Sequence, residues 1–255
     1  MKNLLKSALA PALAVAIAAT ALPASADQII NLRSGNVGVG GTDAAVSMLV
    51  GPLDTGFGSA FTGADFTSAR TGPQAFIIPN HPAWVPPSSF SNPSAQWIGT
   101  NALASHPTAG IGNGASALFA IDFTITDTSI TSATIDFDFS VDNILGFLAG
   151  FPTTGVNEGL FLNGTALSGS TSAGNFGSVF NLTRSDIAPL LVTGTNTLYI
   201  NMTDVGGPAG LIFSATITTE GSTVVAVPEP GLIAIFALGL AGLGCGIGQG
   251  LTAGN

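Results

Sequence analysis

Four runs in the second half of the chain alternate apolar and polar residues, and they restrict the fold more than any other feature. In ALFAIDFTIT (117–126), Phe119, Ile121, Phe123 and Ile125 fall on one side, with Asp122, Thr124 and Thr126 on the other. In TIDFDFSVDN (134–143), Ile135, Phe137, Phe139 and Val141 share a face opposite Asp136, Asp138, Ser140 and Asp142. NTLYINMTD (196–204) collects Leu198, Ile200 and Met202, and GLIFSATIT (210–218) collects Leu211, Phe213, Ala215 and Ile217. Side chains alternate across a strand, so each run predicts a strand with one buried and one wet face. Such strands belong to antiparallel sheets.

Turn chemistry separates the runs. Val141-Asp142-Asn143, Leu162-Asn163-Gly164, Gly194-Thr195-Asn196 and the stretch 205–210 supply the Asn and Gly that tight turns need. The expected fold is all-β, an antiparallel two-sheet β-sandwich of jelly-roll type. Nothing between Asp27 and about Glu220 shows helical periodicity. Residues 27–116 are loop-rich, with prolines gathered between Pro73 and Pro107. There, FIIP, AQWIG and the stretch around Val46 to Val50 predict short strands, placed at sheet edges because proline cannot donate to a ladder.

The two ends read as targeting segments. Lys2 and Lys6 precede an apolar stretch from Ala8 to Leu22, followed by the A-x-A site Ala24-Ser25-Ala26. That is the build of a secretory signal peptide, a helix over residues 1–26 removed before Asp27. At the other end, residues 221–255 form a linker and an apolar tail whose segment Gly231–Gly248 has the 18 residues that suit a transmembrane-type helix. The domain between them, 27–220, divides into the loop-rich 27–116 and the main strands 117–220.

Charge is scarce: five Lys and Arg against fourteen Asp and Glu, for a net charge of −9. With both lysines in the signal peptide, only Arg33, Arg70 and Arg184 remain, far apart. Phosphate contacts need clustered cations, so nucleic acid is excluded as a partner. The lone Cys245 rules out an intrachain disulfide or a thiolate metal cage.

The catalytic inventory is small. His81 and His106 each precede a proline, as loop residues do, and neither G-x-S-x-G nor H-E-x-x-H occurs. Glycoside hydrolysis needs only two carboxylates, and no particular pair is marked. The densest polar set is Asp136, Asp138, Asp142 and Asn143. It reads either as a solvated strand face or as a rim for sugar or structural calcium, which favours several oxygens. Trp84, Trp97 and Tyr199 could each stack on a sugar ring or hold sheets together; Trp97 suits a core, whereas Tyr199 projects opposite Leu198 and Ile200 and so is the better candidate for an exposed aromatic platform. The ligand-binding candidates are therefore Asp138, Asp142, Asn143 and Tyr199, with no catalytic or metal residue assigned.

Pro228-Glu229-Pro230 with an apolar segment behind it, after a signal peptide and a charge-poor body, resembles the PEP-CTERM sorting-domain proteins of Gram-negative bacteria. The resemblance implies export, recognition of the tail by an exosortase-type processing enzyme and at least transient insertion of the tail in the inner membrane. It also implies residence at the cell surface or outside the cell, beside extracellular polysaccharide. The sequence departs from the pattern at its end, where GCGIGQGLTAGN stands in place of the Arg or Lys cluster. Across about 80–218, LFAIDFTI, SVDN, GLFLNGTAL and GTNTLYINMTD are similar to galactose-binding-like jelly rolls. Together these features read as an exported, non-catalytic, carbohydrate-associated surface or matrix protein. The alternatives are a purely structural matrix protein and a secreted carboxylate-dependent glycoside hydrolase.

Overall fold

The alternating runs become the long strands of one antiparallel sheet. A computed structural model describes residues 27–53, 55–103, 114–147, 157–173 and 176–222. The signal-peptide residues Ala24 and Ala26, the motif Pro228-Glu229-Pro230, the apolar segment 231–248 and His106 lie outside the described residues. Among the described residues, no helix is long and apolar enough to cross a membrane.

The N-terminal strands are β1 (Gln28–Arg33), β2 (Thr42–Leu53), β3 (Gln74–Ile77) and β4 (Ile98–Gly99). The middle of the chain supplies β5 (Ala115–Ile125), β6 (Ser129–Asp142), β7 (Ile144–Leu145), β8 (Leu160–Leu162), β9 (Thr165–Ala166) and β10 (Ser172–Ala173). The last three are β11 (Phe180–Arg184), β12 (Gly194–Thr203) and β13 (Gly210–Ser222). Among the described residues one α-helix, α1 (Gly63–Thr71), lies between β2 and β3.

Hydrogen bonding runs in the order β10-β7-β12-β5-β2-β3-β4-β13-β6-β11, with β1 paired to β13 and the β8–β9 hairpin paired to β12 through β8. The sheet has two arms, one built on β2, β5 and β12, the other on β13, β6, β11 and β1. The short β3 and β4 join them, so the hydrogen bonds form a single curled sheet where two separate sheets were expected. The three residues after β5 carry the chain from one arm to the other, since β5 pairs with β2 and β12 while β6 pairs with β13 and β11.

The predicted inner faces meet in one core. Phe119, Ile121, Phe123 and Ile125 of β5, Ile135, Phe137, Phe139 and Val141 of β6, and their counterparts on β12 and β13 belong to a single buried cluster. Phe137 lies between Phe139 and Phe213, with ring centroids 5.5 and 5.7 Å away. Burying a side chain of this size stabilises by about 1.5–3 kcal/mol, and the curl lets both arms contribute to the same apolar volume. The Asn163-Gly164 turn is also as expected. Both residues have positive φ, 51° and 85°, which a two-residue hairpin between β8 and β9 demands.

Two expectations fail. The stretches read as edge strands, β2, β3 and β4, lie inside the strand order. Pairing in β3 and β4 spans so few residues that Pro73 and Pro79 fall just outside the ladder, and the Pro73 carbonyl accepts from Met48 N at 2.9 Å. The second failure is α1. Its nine residues bury only Phe66 and Ala69, too few for a visible apolar stripe. Its start is nonetheless encoded: Thr62 Oγ1 accepts from Asp65 N, and Asp65 Oδ2 accepts from Thr62 N at 2.7 Å. This capping box satisfies two backbone donors that a helix start would leave unpaired.

Candidate functional site

Alternation and register together build a polar surface on the outer face of the second arm. Because Phe137 and Phe139 point into the core, Asp136 and Asp138 point out, and β13 does the same with Ser214 and Thr216. The strand register then aligns Asn31 of β1, Thr216, Asp136 and Thr183 of β11 in one cross-strand row. Arg33, Ser214, Asp138 and Asn181 form the next.

Hydrogen bonds tie neighbours within these rows. Thr216 Oγ1 donates to Asn31 Oδ1 at 3.1 Å, and Asn181 Nδ2 donates to Asp138 Oδ1 at 2.8 Å. Thr183 Oγ1 donates to Asp136 Oδ1. The two carboxylates stand side by side on one strand, about 6–7 Å apart from the strand rise, not facing each other across a cleft.

The proline-rich segment covers one end of this surface. Trp84 stacks on Trp97 with centroids 4.2 Å apart, and both pack with Val85, Phe90, Ala95 and Ile212 of β13. Trp97 Nε1 donates to the Val85 carbonyl at 3.1 Å. At the border, Ser91 Oγ lies 2.7 Å from Ser214 Oγ, and Ser91 N donates to Asp138 Oδ2 at 3.4 Å. The step between segment and sheet leaves a cleft of about 210 Å³ lined by Asn31, Ser91, Asn92, Pro93, Ser214 and Thr216. Asn31 and Asn92 each engage their side-chain oxygen, with Thr216 and with Ser94 N, leaving both Nδ2 groups open as donors among the described residues.

The structure separates the predicted site residues. Asp138 is half-buried on the open surface. Asp142 projects from the same face of β6 but lies beneath the proline-rich segment, 5% exposed, where its Oδ2 accepts from Trp84 Nε1 at 2.8 Å. Burial raises the Asp142 carboxyl above its ordinary value, opposed by the Trp84 hydrogen bond and by the nearby His81.

Asn143 is half-buried and structural. It donates to Asp142 Oδ1 at 2.6 Å and accepts from Val205 N at 2.9 Å. Asp142 and Asn143 therefore hold the covering segment and the β13 connection and do not form an open rim. Among the described residues no three His, Cys, Asp or Glu side chains gather as a metal cage.

Tyr199 corrects the expectation of an exposed platform. It is 6% exposed, on the outer face of the other arm, with its ring 4.8 Å from Phe66 of α1. Burial raises its phenol above the ordinary value, against a hydrogen bond with Thr197. The helix missing from the sequence reading is what covers it. His81 is an exposed turn residue whose Nδ1 accepts from Ala83 N at 3.2 Å.

Asn31, Ser91, Asn92, Asn181, Thr183 and Thr216 escaped the sequence reading. The outward direction of Asn31, Asn181, Thr183 and Thr216 follows from alternation, but their alignment into rows needs the register, which local sequence does not carry. Ser91 and Asn92 come from the proline-rich segment outside any strand. The surface they form offers hydroxyls, amides and carboxylates, with Arg33 at its edge bonded to the Gly35 and Ser94 carbonyls. Such groups exchange hydrogen bonds with hydroxyl-bearing ligands, and the carboxylates repel anions.

No family model matches this chain, and no curated protein matches it. Among solved structures it is similar to the Arthrobacter globiformis T6 isomalto-dextranase complexed with panose, at 11% identity and a TM-score of 0.30. That likeness covers 76% of this chain and 33% of the other, so the chain spans about a third of that protein's length.

Proposed function

We propose that this chain is an exported, non-catalytic protein of a bacterial surface or extracellular matrix that holds polysaccharide against the outer face of β13, β6 and β11. The carrying observation is the pair of cross-strand rows around Asp136 and Asp138, which end in the cleft by Asn31 and Asn92. A polymer of hydroxyl groups finds acceptors in the carboxylates and donors in the open amides. Rows of partners running across several strands suit an extended chain better than a single enclosed ring. The carboxylates sit on one strand as hydrogen-bond partners, so the binding reading is preferred to hydrolysis across a cleft. The curled sheet is read as jelly-roll-like.

Sorting belongs to the same reading. The apolar segment after Pro228-Glu229-Pro230 serves as a sorting tail, inserted in the inner membrane until an exosortase-type enzyme processes it. Mass spectrometry of the surface protein in its host tests this: a mature C-terminus short of Asn255 is expected, and intact Asn255 on all copies rejects it.

Binding is tested by titrating the exported protein with a panel of bacterial polysaccharides. Saturable binding is expected, weakened about tenfold by Asp138→Ala together with Asn181→Ala, as loss of charge-assisted hydrogen bonds implies. No saturation with any member leaves a purely structural matrix protein and removes the ligand.

A further inference from the structure

The first arm carries a second cleft, which neither the polysaccharide surface nor the sorting tail uses. It lies where the end of α1 meets β2 and β5 and measures about 380 Å³, within the range of small-molecule sites at roughly 300–1,000 Å³. Its polar groups are held in place by the fold. Arg70 Nε donates to both oxygens of Asp122, at 3.0 and 2.9 Å, and Nη2 lies 2.9 Å from Oδ2.

Asp122 is in turn fixed by Thr197 Oγ1 of the neighbouring strand at 2.6 Å. Ser47 Oγ donates to the Arg70 carbonyl at 2.9 Å, and Gln74 Oε1 accepts from Thr42 Oγ1 at 2.8 Å. The lining between these groups is small, Ala120 and Gly72. A Cβ on Gly72 would stand 2.1 Å from the Met48 carbonyl oxygen, so only glycine lets the helix end sit this close to β2.

Three of these polar groups keep a free valence. Arg70 Nη1 and Gln74 Nε2 have no acceptor among the described residues, and Ser47 Oγ retains acceptor lone pairs, while Asp122 is taken up in holding Arg70 and Thr197. The guanidinium and the carboxylate cancel in charge, which disfavours a simple anion. Both side chains of the pair are nearly half exposed, 47% and 45%, and an ion pair so exposed contributes little to stability. Groups fixed in advance with open donors and acceptors lower the ordering cost of a ligand.

We infer that this cleft is a separate binding site for one neutral sugar ring, gripped by donors from Arg70 and Gln74 and the Ser47 hydroxyl, with Asp122 holding the Arg70 guanidinium in place. It stands independently of the polysaccharide reading of the second arm.

Titration of the intact chain with glucose, galactose and mannose, with glucuronate and inorganic phosphate as charged comparators, tests the site by chemical-shift perturbation. At least one neutral sugar should saturate in the millimolar range and bind about tenfold more weakly to the Arg70→Lys and Gln74→Ala variants, as loss of one or two hydrogen bonds implies. Asp138→Ala, on the other arm, should leave this affinity unchanged. Gln74→Ala removes one exposed hydrogen bond, so an unchanged melting temperature separates lost binding from lost folding. The inference is overturned if no neutral sugar saturates, if phosphate or glucuronate alone binds, or if Asp138→Ala weakens the affinity as Arg70→Lys does.

Discussion

The outer faces of the two arms start from the same alternation and end in different surroundings. On β5 and β12, Leu118, Ala120 and Tyr199 point away from the core, yet all three are buried. Phe66 and Ala69 of α1 pack against them, Phe161 of β8 stands beside Tyr199 across the ladder, and Phe61 packs 5.5 Å from Phe161 and 4.8 Å from Phe57. On β6 and β13, Asp136, Asp138 and Thr216 point away from the core just as regularly and stay in contact with solvent.

The difference lies in what each face offers a cover. Aromatic and aliphatic groups gain about 1.5–3 kcal/mol each when covered. A row of carboxylates and hydroxyls gains nothing unless every group finds a partner. Even within β6 the contrast repeats. Asp142 accepts a cover because Trp84 brings an N–H to it, whereas Asp136 six residues earlier has no such cap and stays exposed.

The comparison breaks most directly through the covered aromatic cluster. Phe161→Ala should cost about 3–5 kcal/mol, the usual range for a buried Phe, read as a lower urea midpoint at unchanged slope. A cost no larger than that of an open-face substitution would mean that the outer face of the first arm is not closed over Phe161. Trp84→Phe should cost less, about 1–3 kcal/mol, because a buried carboxylate loses a hydrogen-bond donor, and the same denaturation measurement reads it. Thr62→Ala removes the capping box of α1 and should cost about 1 kcal/mol, with a parallel loss of Tyr199 shielding seen in its fluorescence.

Asp142→Asn alters the pH profile. Because the folded state raises this carboxyl, its contribution to stability is full below the ordinary value of 3.8 and is lost as pH rises through the higher folded value. The Asn variant should therefore gain on the natural chain as pH rises past that window, and parallel profiles from acid to neutral pH would show that Asp142 is not held under strain by burial. Smallest of all, Thr183→Ala on the open face should stay within about 0.5 kcal/mol. A larger loss would show that the polar rows stabilise the fold and do not merely decorate it.

Much of the core, in both arms, was legible in the sequence. Phe119, Phe137, Leu198 and Phe213 lie where alternation put them, and Asn163-Gly164 turns where its backbone preferences demand. Tyr199 was misread because alternation says which way a side chain points and not what stands in front of it. The signal for its cover was present in Thr62 and Asp65, a four-residue stretch of local chemistry, but the helix they begin buries too little to show a stripe. Of the predicted site residues, Asp138 lies on the open surface, while Asp142 and Asn143 anchor the proline-rich segment and the β13 connection, whose paths no local pattern describes.

By itself the sequence determined which segments extend, which side of each is apolar and where the chain must turn, because these follow from side chains within a few residues of one another. Only the tertiary structure decided which strands pair, which outer face is closed and which polar groups share a row. Those outcomes rest on contacts such as Thr216 with Asn31, 185 residues apart. The partner in such a contact is chosen by the packing of the whole sheet, and no local preference names it.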